Sequence, residues 1–201
     1  MSKQRTRRAL GVGVLALAPL VAPVLTAGAA QAHGYTQSPP SRQALCASGK
    51  AGDCGPVQYE PQSVEGPGDF PQAGPPDGKV CSAGNVPFGQ LDDPRGGTWP
   101  ATPVTGGQPV QVRWTNTAAH PTSDYRYFIT KDGWDPTKPI TRAQLEPAPF
   151  ATHQYGGRTP GTTEDHTITL PGKKGRHVIV GAWNIADTSN AFYSCSDVDF
   201  R

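Results

Sequence analysis

The sequence has no Cys-x-x-Cys pair and no His-Glu-x-x-His motif. The first absence removes the ligand spacing of a four-cysteine zinc site, and the second removes that of a helical zinc protease. Beyond residue 32 there is no apolar run long enough to cross a bilayer. There is no internal repeat and no linker-like stretch, which argues against a solenoid or a second domain. Regular hydrophobic periodicity is also scarce over residues 33–109.

What is present begins with an export pattern. Lys3, Arg5, Arg7 and Arg8 form a basic start, and residues 9–26 are mostly apolar. Pro19 and Pro23 interrupt that run, and Ala30-Gln31-Ala32 is a small-x-small cleavage site directly behind it. This predicts a secretory signal over 1–32, removed on export, and one mature domain over 33–201. The mature chain is then secreted, extracellular and monomeric, with no membrane attachment. Four of the 18 basic residues lie in the removed segment, so 14 remain against 16 acidic residues. No basic excess is left to attract nucleic acid or anionic lipid, whereas a neutral polymer suits such a surface.

Cys46, Cys54, Cys81 and Cys195 all lie in the mature part. An even number in an exported chain predicts two disulfides, with three pairings open. The 24 Gly and 22 Pro mark long loops, and the tryptophans and expected disulfides argue that these are ordered. Loop signals crowd the first half: Pro39-Pro40, Gly66-Pro67-Gly68 and Gly74-Pro75-Pro76-Asp77-Gly78. So long a loop region in a compact domain points to function. From Pro109 onward strands are expected. Val110, Val112 and Trp114 alternate with Gln111 and Arg113, and Ile168 and Leu170 alternate with Thr167 and Thr169. Residues 125–130, 177–183 and 194–200 read as further strands, and Thr141-Arg142-Ala143-Gln144 as one short helix. The fold class expected is all-β, an immunoglobulin- or fibronectin-like β-sandwich with a long loop region containing short helices.

Cleavage after Ala32 would make His33 the first residue. A free α-amine and the imidazole Nδ1 of the same residue can chelate one metal ion. The amine titrates near pH 8 in ordinary surroundings, so a metal displaces its proton at modest cost near neutrality. One more imidazole would complete a planar set of three nitrogens, which suits Cu(II) best. His120 is the expected partner, because it follows Thr117-Ala118-Ala119 at a strand exit, where loops build surface sites. His153 lies in a polar stretch, while His166 and His177 sit in strand patterns and read as structural.

With these residues in view, the chain resembles the bacterial lytic polysaccharide monooxygenases of auxiliary activity family ten, formerly called chitin-binding proteins. The opening His33-Gly34-Tyr35, with Ser38-Pro39 and Ser41-Arg42, resembles the family's start. Tyr59-Glu60-Pro61-Gln62-Ser63-Val64-Glu65-Gly66 is similar to its chitin-active members. Tyr127-Phe128-Ile129-Thr130-Lys131 with Trp134-Asp135 matches the segment after the second histidine. The most specific match is Trp183-Asn184-Ile185-Ala186-Asp187-Thr188-Ser189-Asn190-Ala191-Phe192-Tyr193.

The resemblance implies roles. His33 and His120 would form a histidine brace for one copper ion, with Phe192 near an axial position and Ala118 crowding the other side. Glu65 would position the oxygen species. Tyr59, Glu60, Thr117 and Asp187 would lie on a flat surface that meets crystalline chitin. The implied disulfides are Cys46 with Cys54 and Cys81 with Cys195. The implied reaction is oxidation at C1 of chitin, giving lactone or aldonic acid ends. It would use an external reductant as electron donor and hydrogen peroxide or dioxygen as co-substrate. Two positions depart from the family pattern: Ala119 stands where chitin-type members usually carry arginine, and Asn184 where aspartate or threonine is common. The competing readings are a non-catalytic chitin-binding protein, a cellulose-active member of the family, hydrolysis by paired carboxylates such as Glu60 and Glu65, and a copper carrier.

Overall fold

The computed structural model describes residues 32–201; the expected secretory signal lies outside the described residues apart from Ala32. Among the described residues, nine strands form two sheets. The smaller holds β1 (His33–Ser38), β4 (Pro109–Ala118) and β7 (Thr163–Thr169), in the order β1-β4-β7. The larger runs β2 (Glu65–Pro67), β9 (Asn190–Phe200), β8 (Gly175–Ile185), β5 (Thr122–Ile129) and β6 (Ala151–Gln154). A short β3 (Thr102–Val104) joins it by pairing parallel to the far end of β9. The expected β-sandwich is present.

Two separate cores explain the burial pattern. Between the sheets, Val112 and Trp114 of β4 and Ile168 of β7 meet Tyr125, Tyr127, Ile179, Trp183, Phe192 and Val198 of the larger sheet. The alternation seen around Trp114 comes from this one-sided burial. The opposite face of the larger sheet presents Phe128, Val178, Val180, Ala182, Tyr193 and Cys195. It packs against Leu45, Val57, Val64, Phe70, Val80, Leu91 and Trp99 from the loop region. β8 is thus covered on both faces, which is why its sequence reads as a continuous apolar run.

The loop region holds one α-helix, α1 (Arg42–Ala47), and short 3-10 turns. Ser41 caps α1 by accepting from the Ala44 N–H, and buried Arg42 pairs with Asp197 at 2.8 Å, tying the helix to β9. Disulfides link Cys46 to Cys54 within the loops and Cys81 to Cys195 of β9. The region expected to be nearly free of strands contains β1, β2 and β3. β1 escapes a hydrophobicity reading because its buried residues are Gly34 and Thr36, and β2 and β3 have three residues each. The expected helix at 141–144 is a single 3-10 turn over Arg142–Gln144, closed by a capping box between Thr141 and Gln144.

Candidate functional site

Strand pairing brings distant residues to one end of the sandwich. β1 runs antiparallel to β4, so His33 lies opposite Ala118, two residues before His120. The Thr117 hydroxyl lies 3.5 Å from the His33 carbonyl oxygen, to which it donates. Phe192 of β9 is fully buried between its neighbours, with its ring centroid 6.1 Å from that of His33 and 5.3 Å from that of Trp183. β2 sets Glu65 opposite Phe192. The Glu65 carboxylate accepts from Asn190 Nδ2 at 2.7 Å, and its carbonyl accepts from Asn85 Nδ2 at 2.6 Å. The His120 imidazole is buried, with Nε2 3.2 Å from the Asp187 carboxylate. Asp187 itself is exposed on the turn between β8 and β9.

His33, Phe192 and Glu65 therefore adjoin one another, and the His120–Asp187 pair follows the strand exit next to half-buried Ala118. Tyr59 and Glu60 stand apart, exposed on the loop that leads into β2. Tyr59 is 83% exposed, one of two large hydrophobic side chains so displayed among the described residues.

A family model described as "Lytic polysaccharide mono-oxygenase, cellulose-degrading" matches residues 33–198. The chain belongs to the lytic polysaccharide monooxygenases of auxiliary activity family ten. The match begins at His33, the residue that opens β1. A solved monooxygenase of this family from Streptomyces lividans is 50% identical, covering 84% of this chain and 100% of that one with a TM-score of 0.82. The structure of Bacillus amyloliquefaciens CBM33 in complex with Cu(I) is 40% identical, covering 84% and 100%, with a TM-score of 0.77. GlcNAc-binding protein A of Shewanella oneidensis is 40% identical over 90% of this chain and 39% of its own length. The chain spans about half or less of the length of the first curated relatives it matches.

The other three histidines, His153, His166 and His177, pack against side chains of the sandwich. His177 is buried, with Nδ1 2.9 Å from the Thr130 hydroxyl. His166 of β7 stacks on His153 of β6 with centroids 4.3 Å apart, tying the edge of one sheet to the edge of the other. Its Nδ1 meets the Tyr127 hydroxyl at 2.5 Å, and its Nε2 meets that of Tyr155 at 3.2 Å. Burial, with a smaller contribution from His153, pushes His166 down to about 4, against the raising influence of Glu164 and Asp165. Burial also lowers His153 and His177. The folded state therefore resists protons that the unfolded chain accepts below about pH 6.5. Stability should be full above that pH and fall as pH drops towards 4, by about 3 kcal/mol from His166 alone. Urea unfolding at pH 7.0 and 4.5 checks this. His166→Gln should flatten the dependence, and an equally steep loss in that variant would reject the assignment.

Asn190 and Asn85, which hold Glu65, were not singled out by sequence reasoning. Asn190 lies inside the quoted 183–193 match, but only the β2–β9 pairing shows that its amide faces Glu65.

Proposed function

We propose that the mature chain begins at His33, is secreted, and oxidatively cleaves crystalline chitin with one copper ion held by His33 and His120. The observation that supports this most is the β1–β4 register, which sets His33 beside the strand exit carrying His120. Among the described residues no three His, Cys, Asp or Glu side chains gather as a metal cluster. The donor set then fits copper only if the main chain contributes, and cleavage before His33 creates that donor as an α-amine. When bound, copper supplies the one-electron chemistry by which an external reductant and hydrogen peroxide or dioxygen hydroxylate C1, after which the glycosidic bond breaks.

The chain's own groups do the rest. Phe192 and Ala118 offer apolar surface beside the histidines and limit water there. Asn190 holds one oxygen of Glu65, which fixes a carboxylate next to Phe192 where an oxygen co-substrate would be oriented. Tyr59 provides a ring for sugar stacking, and Glu60, Thr117 and Asp187 provide exposed hydrogen-bonding groups. An acetamido polymer is favoured by the likeness to a GlcNAc-binding protein. Cellulose is the second reading, because the matching family model is described as cellulose-degrading.

Mature protein loaded with copper and given ascorbate should release aldonic-acid oligosaccharides from chitin, detected by mass spectrometry. Binding without oxidised products would leave only a chitin-binding protein. Products from cellulose alone would reverse the substrate choice.

Surface and site separate by mutation. Tyr59→Ala should weaken chitin binding several-fold, about 1 kcal/mol, with copper affinity unchanged. Glu65→Gln should retain binding and slow product formation by about ten-fold or more. Normal chitin binding by a folded Tyr59→Ala protein would misplace the contact surface.

A further inference from the structure

The carbonyl of His120 lies between strands, where β4 has ended and β5 has not yet begun. It accepts a hydrogen bond from the Thr122 hydroxyl at 2.8 Å. The same oxygen of Thr122 accepts from the Trp183 indole Nε1 at 2.7 Å. Thr122 is fully buried, and its main chain is held on both sides: its N–H donates to Arg158 O at 3.1 Å and its carbonyl accepts from Gly157 N at 2.8 Å. The pairing of β5 with β8 slips at this point, between Thr122 and Asp124. His120 lies outside both ladders, so its carbonyl is held by the side chain of Thr122, while the carbonyl of the next residue, Pro121, accepts from Ala186 N at 2.8 Å.

Trp183 is itself immobilised. Tyr125 stacks on it at 5.6 Å with planes 4° apart, and Phe192 packs against it at 5.3 Å. Its ring also lies against Gly34, the residue after His33. A Cβ added to Gly34 would sit 2.8 Å from the Trp183 ring and 2.8 Å from Asn116 Oδ1. One indole therefore touches the neighbour of the first histidine, the ring of Phe192 and, through one hydroxyl, the backbone of the second histidine.

We propose that Thr122 and Trp183 are positioning residues that set the His120 imidazole relative to His33. Neither side chain needs to touch the metal or the substrate. Their effect passes through the His120 carbonyl, because fixing that peptide fixes the direction of the Cα–Cβ bond that carries the ring. A hydroxyl that both donates and accepts is required, so valine of nearly the same shape cannot replace threonine, whereas serine can.

The proposal rests on the copper reading, and its test separates the two. Mature wild type, Thr122→Val and Thr122→Ser are compared by calorimetry with copper and by the electron paramagnetic resonance of the Cu(II) forms. Thr122→Val should bind copper about ten-fold more weakly and show altered copper hyperfine splitting, the scale expected when a group supporting a ligand is lost. Thr122→Ser should restore both. A folded Thr122→Val protein with wild-type affinity and spectrum overturns the proposal. So does a serine variant that behaves like valine, since packing would then be responsible. If Thr122→Val does not fold, Trp183→Phe removes the same N–H while keeping a ring, and unchanged copper binding in it overturns the proposal. If wild type binds no copper, the copper reading fails by itself. The His120 ring signals in nuclear magnetic resonance of the metal-free proteins then decide: broadened or doubled in Thr122→Val and restored in Thr122→Ser, or unchanged and the proposal is lost.

Discussion

A form of this protein carrying one extra residue ahead of His33 will bind copper more than about 100-fold more weakly than the form that begins at His33. That is beyond the upper end of the loss seen when a mere supporting group is removed. The reason lies in one nitrogen. As an α-amine it sheds its proton at modest cost near neutral pH and presents a localised lone pair. As a peptide nitrogen its lone pair is delocalised into the carbonyl, and the chelate with the His33 imidazole is broken. Nothing else need change. His33 still opens β1 opposite Ala118, and its ring still lies near Phe192. Calorimetry on the two forms makes the comparison, with thermal unfolding of both confirming an intact fold. Equal affinity would end the brace assignment, whatever the activity of either form.

Replacing His120 by alanine will abolish oxidised products and lower copper affinity by a similar factor. The residue follows β4, with its ring nitrogen 3.2 Å from Asp187 and its carbonyl held by Thr122. Alanine keeps that carbonyl and its hydrogen bond, so the loss should be local to the imidazole. His153→Ala and His166→Ala are the controls. Their rings stack on each other at the sheet edges, and removing either should cost stability and leave copper binding in place. Tight binding lost in His166→Ala and kept in His120→Ala would reverse the ligand assignment. Oxidised products from folded His120→Ala protein would remove the second histidine from the chemistry altogether.

The strands around Trp114 and within β8 were legible because burial leaves a period in the sequence: alternation where one face is covered, and a continuous apolar run where both are. β1 was not legible, because Gly34 and Thr36 occupy its inward positions and neither is strongly apolar. Its small residues have a tertiary reason, since Gly34 must fit between Asn116 and Trp183. The loop region showed that it would be long and ordered, but not that it would cover the outer face of the larger sheet with a second core.

For the site, His33 came from a local fact, a cleavage pattern directly before a histidine. His120 came from its place at a strand exit. The roles considered for Glu65, Phe192 and Asp187 came through family resemblance, because a lone carboxylate or phenylalanine carries no local mark of its neighbours. The four cysteines alone left three pairings open, and resemblance chose among them; the structure joins Cys81 to Cys195 across 114 residues. Asn190, Thr122 and Trp183 had no signal at all as supporting groups.

By itself, then, the sequence determined the sandwich class and the family, because both are written in short contiguous runs of residues. Tertiary structure alone decided which side chains support the site. Antiparallel register places His33 beside the His120 exit, Glu65 beside Phe192 and Asn190 against Glu65, and register depends on contacts between segments far apart in the chain. The hydrogen bonds from Trp183 to Thr122 and from Thr122 to His120 join β8 to the exit of β4, which no local pattern of apolar and polar residues records.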